Sequence, residues 1–247
     1  MKFRFLLAIA LLFPITASAQ WLSVVGSDAT SITHVFTHAQ ATVFTAPGGT
    51  VSSVSVSLGS APANGDLIIA TCYAFDNATS VTIQDANLNN YTISANSPSS
   101  LSNSGEFGII WFGYLLYAVN ASPNVTCTFN TSVFNQTALE LDDFSYTGGG
   151  SAVYDTASNL ATYYSASVAF PVAEPCITPT GNDLLFGQGG GVGYSTTGAG
   201  SPWTFVQGGN GYGGTAYDLS ATTTTCGDWT GAVDPAQAYS ATIVGFK

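Results

Sequence analysis

The tetrapeptide Glu-Leu-Asp-Asp at 140–143 holds the residues best suited to chemistry in this sequence. Side chains of a β-strand alternate between two faces, so a strand here places Glu140 and Asp142 on one face, with Phe144 and Tyr146. Two carboxyl groups about 5.5 Å apart, one of them protonated, perform retaining glycoside hydrolysis. The segment therefore predicts a candidate catalytic pair of carboxyl groups beside two aromatic side chains.

The spacing of these acids is similar to the E-x-D-x-x-E signature of jelly-roll β-glucanases, which implies a polysaccharide-active glycoside hydrolase using Glu140 and Asp142. The third acid of that signature is replaced by Ser145. Nothing in the sequence indicates the raised pKa that one of the two carboxyls needs. A solvated strand edge, or an acidic cluster facing calcium, is the alternative interpretation.

Asp85, Asn87 and Asn89 are spaced like the opening of a D-x-N-x-N calcium loop, where alternate oxygens converge on a hard cation. An EF-hand is excluded because its sixth residue, a glycine, is Asn90 here, and its twelfth, a glutamate, is Asn96. A smaller calcium site in a β-turn stays a hypothesis and would suit a calcium-dependent, lectin-like module. The alternative is a turn whose side chains bond their own backbone.

Aromatic residues accompany the glycine-rich stretches at 187–200 and 208–214. Rings on exposed loops stack on sugars, so these residues form a candidate glycan-binding set, with core packing as the alternative. The set comprises Tyr194, Trp203, Tyr212 and Tyr217. A phosphate-binding loop is excluded, because it requires a following helix and a lysine.

The chain has two histidines, His34 and His38. Their neighbours favour a strand, in which residues four apart are separated by about 13 Å. Two rings at that distance do not share a metal ion, so we expect ordinary surface or edge residues.

Basic residues are nearly missing: three Lys and Arg stand against fourteen Asp and Glu, and the net charge is −11. Lys2 and Arg4 lie in the N-terminal leader, which leaves only Lys247. A chain without bases has no phosphate clamp and no cationic patch for nucleic acid or anionic lipid. It also does not become strongly cationic when its carboxylates are neutralised near pH ~4, which predicts tolerance of acid.

The N-terminal leader at 1–19 has the three parts of a signal peptide: a basic start, an apolar run at 5–15 and the small-residue cleavage site Ala17-Ser18-Ala19. We expect its removal, and a secreted, extracellular or cell-surface protein consisting of a single domain at 20–247. The apolar runs at 5–15 and 109–119 are shorter than the ~20 residues of a membrane helix, so no membrane span is expected.

Four cysteines in an exported chain predict two disulfides. Sequence permits three connectivities, of which Cys72 with Cys127 and Cys176 with Cys226 are favoured. Four buried free thiols are the alternative. Zinc is disfavoured, since no C-x-x-C spacing occurs and neither histidine is near a cysteine in sequence.

Period-two patterning predicts the fold. Val54, Val56 and Leu58 alternate with serines, and the segment 67–75 is apolar on both faces, as expected inside a sandwich. Glycine, proline and asparagine turns separate such runs, which predicts an all-β, two-sheet antiparallel sandwich of jelly-roll type. The segment 62–69 is echoed by 179–186, so two related halves at 50–147 and 170–247 are a further hypothesis.

Several of these motifs recur together elsewhere. They are the motif P-x-x-G-D-L-[IL], the turn at 85–91, the second strand N-D-L-L-F-G and the ending at 243–247. With these motifs the chain resembles a group of uncharacterised bacterial secreted β-sandwich domains, which are found alone or within large surface proteins. The resemblance runs from about Ile32 to Lys247. It implies fold and export, and no activity.

These features favour a non-catalytic secreted or cell-surface β-sandwich with an adhesive, matrix-building or self-assembling role. Its expected partners are extracellular polysaccharide or copies of itself, with no nucleic acid. No cofactor is predicted apart from a possible calcium ion. The hydrolase and the calcium-dependent lectin-like module are the two alternatives.

Overall fold

The computed structural model describes residues 35–46, 49–74, 78–94, 97–103, 106–134, 137–147, 152–155, 161–165, 175–191, 195–209, 213–232 and 239–247. These residues form strands and connecting turns without a helix, which confirms the all-β prediction. All of them belong to one compact unit, Thr33–Lys247. The predicted leader, His34, Tyr194 and Tyr212 lie outside the described residues.

Eighteen strands make up the described part of the chain. They are β1 Val35–Ala46, β2 Thr50–Ser57, β3 Leu67–Ala74, β4 Val81–Asp85, β5 Thr92–Ile93, β6 Ser99–Asn103, β7 Glu106–Leu115, β8 Asn124–Phe134, β9 Thr137–Thr147, β10 Ala161–Ser165, β11 Cys176–Ile177, β12 Asp183–Gly191, β13 Ser195–Ala199, β14 Thr204–Gly209, β15 Gly213–Ala221, β16 Thr225–Cys226, β17 Trp229–Ala232 and β18 Tyr239–Phe246.

The first half of the chain forms a sandwich of two antiparallel sheets. Central sheet 1 has the order β1-β9-β3-β7-β5, with β6 also paired to β7, and the outer sheet has the order β2-β8-β4. Between them lies a core that includes Ile68, Trp111, Val125 and Leu139. Strand β2 alternates valine with serine because its other face meets solvent.

The second half repeats part of this plan. Central sheet 2 has the order β10-β18-β12-β15-β14 and is covered by the two-stranded sheets β11-β16 and β13-β17. Its first four strands follow the chain in the same relative order as β1-β9-β3-β7 in central sheet 1. The similar segments at 62–69 and 179–186 lead into β3 and β12, which occupy matching places. A common origin of the two halves stays a prediction.

The two central sheets also pack against each other. A third apolar cluster joins residues of both, including Phe112 and Phe144 from central sheet 1 and Phe186 and Phe246 from central sheet 2. The ring of Phe186 meets the rings of Phe112 and Phe144 edge-on, with centroids 5.8 and 6.1 Å apart. Strand β3 is therefore buried along its whole length, as its two-sided apolar sequence predicts.

Both predicted disulfides are present. Cys72 on β3 bonds Cys127 on β8 across the first core, and Cys176 bonds Cys226 between the paired strands β11 and β16. The bonded residues are 55 and 50 positions apart. Closing loops of that size restricts the unfolded chain and contributes about 4 kcal/mol per bond in the chain-entropy model.

Candidate functional site

Strand β9 carries carboxyl groups on both of its faces. Glu140 and Asp142 face central sheet 2, where Glu140 meets Thr215 of β15. Asp143 faces the opposite way and meets Gln40 of β1. Two distinct acidic environments result from three acids within four residues, because side chains alternate along a strand.

The pair formed by Glu140 and Asp142 is enclosed between the central sheets rather than placed in a cleft or on a wet edge. Only 7% of Glu140 and none of Asp142 is exposed. The Thr215 hydroxyl donates a hydrogen bond to Glu140 Oε1, and Asp142 Oδ2 has no hydrogen-bond partner among the described residues. The solvated edge considered from the sequence is therefore wrong for this pair.

Burial controls the protonation of this inner pair. Loss of solvent raises the pKa of Glu140 well above its ordinary value, the nearby Asp142 raises it further, and the Thr215 hydrogen bond opposes the shift. Burial and the charge of Asp143 likewise raise the pKa of Asp142. Ionising either carboxyl places a charge in a poorly solvated layer, so both favour the protonated form.

His38 lies on the edge strand β1, as the prediction of a surface or edge residue allowed, but its side chain is half-buried and belongs to this inner cluster. Its ring stacks on Tyr217 at 4.7 Å and contacts Phe144 at 5.0 Å. Its Nε2 lies 2.9 Å from Asp142 Oδ1. This contact is an ion pair only if the ring is protonated, and burial lowers the pKa of His38 although Asp143 opposes that shift. A neutral ring hydrogen-bonded to a protonated carboxyl fits both shifts.

Two members of the predicted aromatic set fall within the described residues, and neither is presented on an exposed loop. Trp203 is 6% exposed, packs against Trp229 and donates its indole N–H to the Cys226 carbonyl at 2.7 Å. It is therefore a core residue, as the alternative interpretation held. Tyr217 stacks on His38 between the central sheets.

The Asp85 carboxylate organises the turn that follows β4. Its Oδ1 accepts from the backbone N–H groups of Asn87 and Asn89, both at 2.9 Å. Its Oδ2 accepts from the Asn89 side chain and from the Ser122 N–H, both at 2.8 Å. These bonds account for Asp85 without an ion, so calcium binding by this turn stays a prediction. Within the described ranges, no group of three or more His, Cys, Asp or Glu side chains is arranged to hold a metal.

A surface groove of about 510 Å³ lies on the other side of β9. Asp66 and Asp143 line it together with Gln40, Ser60 and Ser145. Burial and the nearby Asp66 raise the pKa of Asp143 to about 6, although the Gln40 hydrogen bond and the His38 ring oppose the shift. We call this feature the acidic groove.

No function was predicted from the sequence for Asp66 or Gln40. A signal was present in the adjacent acids Asp142 and Asp143, because neighbours on one strand must face opposite ways. What each face meets depends on strands distant in sequence, so the acidic groove was not predicted.

The outer sheet exposes a polar surface that we call the hydroxyl face. In its register Ser53 pairs with Thr128, which pairs with Thr82 on the other side. The next row is Ser55, Thr126 and Gln84, with 2.7 Å between the Ser55 and Thr126 hydroxyl oxygens. None of these six side chains carries a charge. A groove of about 500 Å³ runs along Thr82, Gln84, Thr126 and Thr128, and it is also lined by Asp85, Ala86 and Leu88 of the turn that follows β4.

No family model, curated protein or solved structure matches this chain. In the ranges described above, no helix is long and apolar enough to cross a membrane. A functional assignment therefore rests on the residues of the chain itself.

Proposed function

We propose that this protein is a secreted, non-catalytic β-sandwich with an adhesive or matrix-building role, and that its hydroxyl face contacts neutral polysaccharide. The observation that carries the proposal is the uncharged, ordered array of hydroxyl and amide groups on the outer sheet. The signal peptide predicted at 1–19 and the two disulfides support action outside the cell.

The spacing of the hydroxyl face suits a polymer of repeated sugar units. Neighbouring strands are about 4.8 Å apart, and residues on one face of a strand about 7 Å apart, so donors and acceptors recur on a regular grid. Each hydroxyl both donates and accepts, and so does each sugar hydroxyl. An uncharged surface also binds a neutral chain without desolvating an ion.

The enclosure of Glu140 and Asp142 argues against hydrolysis by this pair. A glycosidic oxygen must approach within hydrogen-bonding distance of the catalytic acid. Asp142 has no exposed surface, and the partner of Glu140 is Thr215 of the opposite sheet. A polymer reaches this pair only if the two central sheets separate.

Retention on insoluble polysaccharides tests the contact role. We expect the full chain to sediment with at least one neutral polymer, such as a β-glucan or chitin, with or without a chelator. The variants Thr82→Glu and Thr128→Glu place a charge on the hydroxyl face and should lower retention at least tenfold. Thr222→Glu changes an exposed threonine in the second half and serves as the matched control.

Two results would overturn the proposal. One is no retention of the folded protein on any neutral polymer. The other is equal retention of the wild type and of the Thr82→Glu, Thr128→Glu double variant, with both folded by circular dichroism.

A further inference from the structure

The acidic groove brings together two carboxylates from adjoining parts of central sheet 1. Asp143 on β9 is directly opposite Ile68 on β3, and Asp66 precedes β3 by one residue. The turn at Asn64-Gly65 orients Asp66. Gly65 has a φ of +101°, a conformation that disfavours residues with a Cβ. The Gly65 N–H donates a hydrogen bond to the Ala118 carbonyl, which holds the turn in place. The Asp66 carboxyl lies within hydrogen-bonding reach of Asp143.

Each carboxylate is fixed through one oxygen. Asp66 Oδ2 accepts from the Ala63 N–H at 2.7 Å, and Asp143 Oδ2 accepts from Gln40 Nε2 at 2.9 Å. Gln40 is held in turn by the Ser60 backbone, since its Nε2 donates to the carbonyl and its Oε1 accepts from the N–H, both at 3.1 Å. The carboxylates therefore have defined positions before any ligand arrives.

Apart from the neighbouring Asp66 carboxyl, the opposite oxygen of Asp143 meets no polar group among the described residues. Asp143 is 1% exposed and Asp66 5%, yet no described residue donates a hydrogen bond to Asp143 Oδ1. A buried carboxylate oxygen without a donor carries a free-energy cost unless a ligand satisfies it. The described lysine, Lys247, does not supply the charge, because its Nζ binds Asp155 at 2.9 Å.

We infer that the acidic groove binds one hard divalent cation, best matched by Ca²⁺, with Asp66 and Asp143 as its carboxylate ligands. Calcium takes six to eight oxygen ligands in flexible geometry, so serine oxygens along the groove and water can complete its shell. The residues lining the groove offer oxygen and amide groups but neither thiolate nor imidazole, which disfavours zinc and copper. This site is separate from the turn at Asp85 and from the hydroxyl face.

A cation in the acidic groove would link three parts of central sheet 1. Asp143 belongs to β9, Asp66 leads into β3, and Gln40, which positions Asp143, belongs to β1. With only two carboxylates the expected dissociation constant is about 10⁻⁴ to 10⁻³ M, the range of extracellular calcium modules. Binding should therefore stabilise the folded chain at the calcium concentrations found outside cells.

Titration of the chelator-treated full chain with CaCl₂ at neutral pH tests the site. Isothermal calorimetry should give one ion per chain, and the melting temperature should rise with calcium concentration. Asp143→Asn and Asp66→Asn should each weaken binding at least tenfold. Asp218→Asn removes a carboxylate from β15 in the second half and should bind as the wild type does.

Paramagnetic broadening locates the ion in the unaltered protein, so the test holds even if a variant does not fold. Added Mn²⁺ should first broaden the amide signals of Gln40, Ser60 and Asp143. Broadening centred on Asp85 to Asn89 would overturn the assignment. So would the absence of calcium binding, or wild-type affinity in both folded Asn variants.

Discussion

Glu140 accepts a hydrogen bond from Thr215 across the layer that separates the two central sheets. The two residues belong to β9 and β15, one in each half of the chain, and the layer around them includes the Phe144 and Phe186 rings. A polar contact in an apolar layer is directional and costly to leave unmade. It therefore favours one alignment of the two sheets over others that bury a similar area.

Thr215→Val tests this contact, because it removes the hydroxyl with little change of shape. Glu140 would lose its donor while remaining buried, so the free energy of unfolding should fall by about 1–3 kcal/mol. Urea denaturation measures the change. Thr230→Val, at an exposed threonine, should stay within about 0.5 kcal/mol of the wild type. Equal stability of Thr215→Val and the wild type would show that the hydrogen bond contributes nothing.

The raised pKa values of the acids on β9 predict that the protein is most stable in acid. Their protonated forms are favoured in the folded state, whereas in the unfolded chain Asp and Glu ionise near pH ~4. The free energy of unfolding should therefore be highest below about pH 4 and fall as pH rises through the unfolded pKa values, until the folded pKa values are passed. Asp143, with its pKa raised to about 6, adds a fall between about pH 4 and 6.

His38 opposes this trend, since its lowered pKa favours the unfolded chain below about pH 6.5. One histidine is set against three carboxyls, so the acidic optimum should persist. Denaturation from pH ~3 to ~8 with a chelator present measures the profile. Glu140→Gln should flatten it, whereas Thr222→Val, which alters an exposed threonine and removes no titratable group, should not. Stability that increases steadily toward pH ~8 would contradict the prediction.

The two disulfides should differ in their resistance to reductant. Cys72 and Cys127 are fully buried, whereas Cys176 is exposed and Cys226 partly so. Mild reductant under native conditions should therefore open only the bond between Cys176 and Cys226, because exchange requires access of a thiolate to sulfur. Alkylation followed by peptide mass spectrometry identifies the opened bond. Simultaneous opening of both would mean that the first core is not closed to solvent.

Trypsin should not cut the chain anywhere beyond Arg4, even after reduction and unfolding. Between Arg4 and Lys247 the sequence contains no lysine or arginine. Chymotrypsin, which cuts after aromatic residues, should degrade the unfolded chain and serves as the control. Internal cleavage by pure trypsin would contradict this expectation.

Local patterning was sufficient to predict those features that depend on which face a side chain takes. The apolar run of β3 predicts burial on both sides. In β8 the alternation of Val125, Cys127 and Phe129 with threonines places Cys127 on the core face, where it bonds Cys72. Both conclusions need only the period of a strand. Their success does not require knowing which strand covers them.

Features that depend on the covering strand were missed. The sequence placed Glu140 and Asp142 on one face but could not show that central sheet 2 closes over it. His38 was expected at the surface or at an edge, and it does lie on the edge strand β1. Its burial was not predicted, because its partner Tyr217 lies in the other half of the chain. Trp203 is close in sequence to a glycine-rich stretch, which suggested an exposed loop. One of those glycines, Gly187, instead lies against the buried Trp203 and Trp229 rings, and a Cβ there would be only 3.1 Å from the Trp229 ring.

The aromatic layer between the central sheets has a mechanical consequence. Separating the two halves would expose four phenylalanine rings to water at once. Phe112 and Phe144 lie on central sheet 1, and Phe186 and Phe246 lie on central sheet 2. A load applied to either sandwich is therefore passed to the other through this layer of packed rings. We therefore expect the two halves to resist pulling as one unit, because parting them exposes all four rings to water.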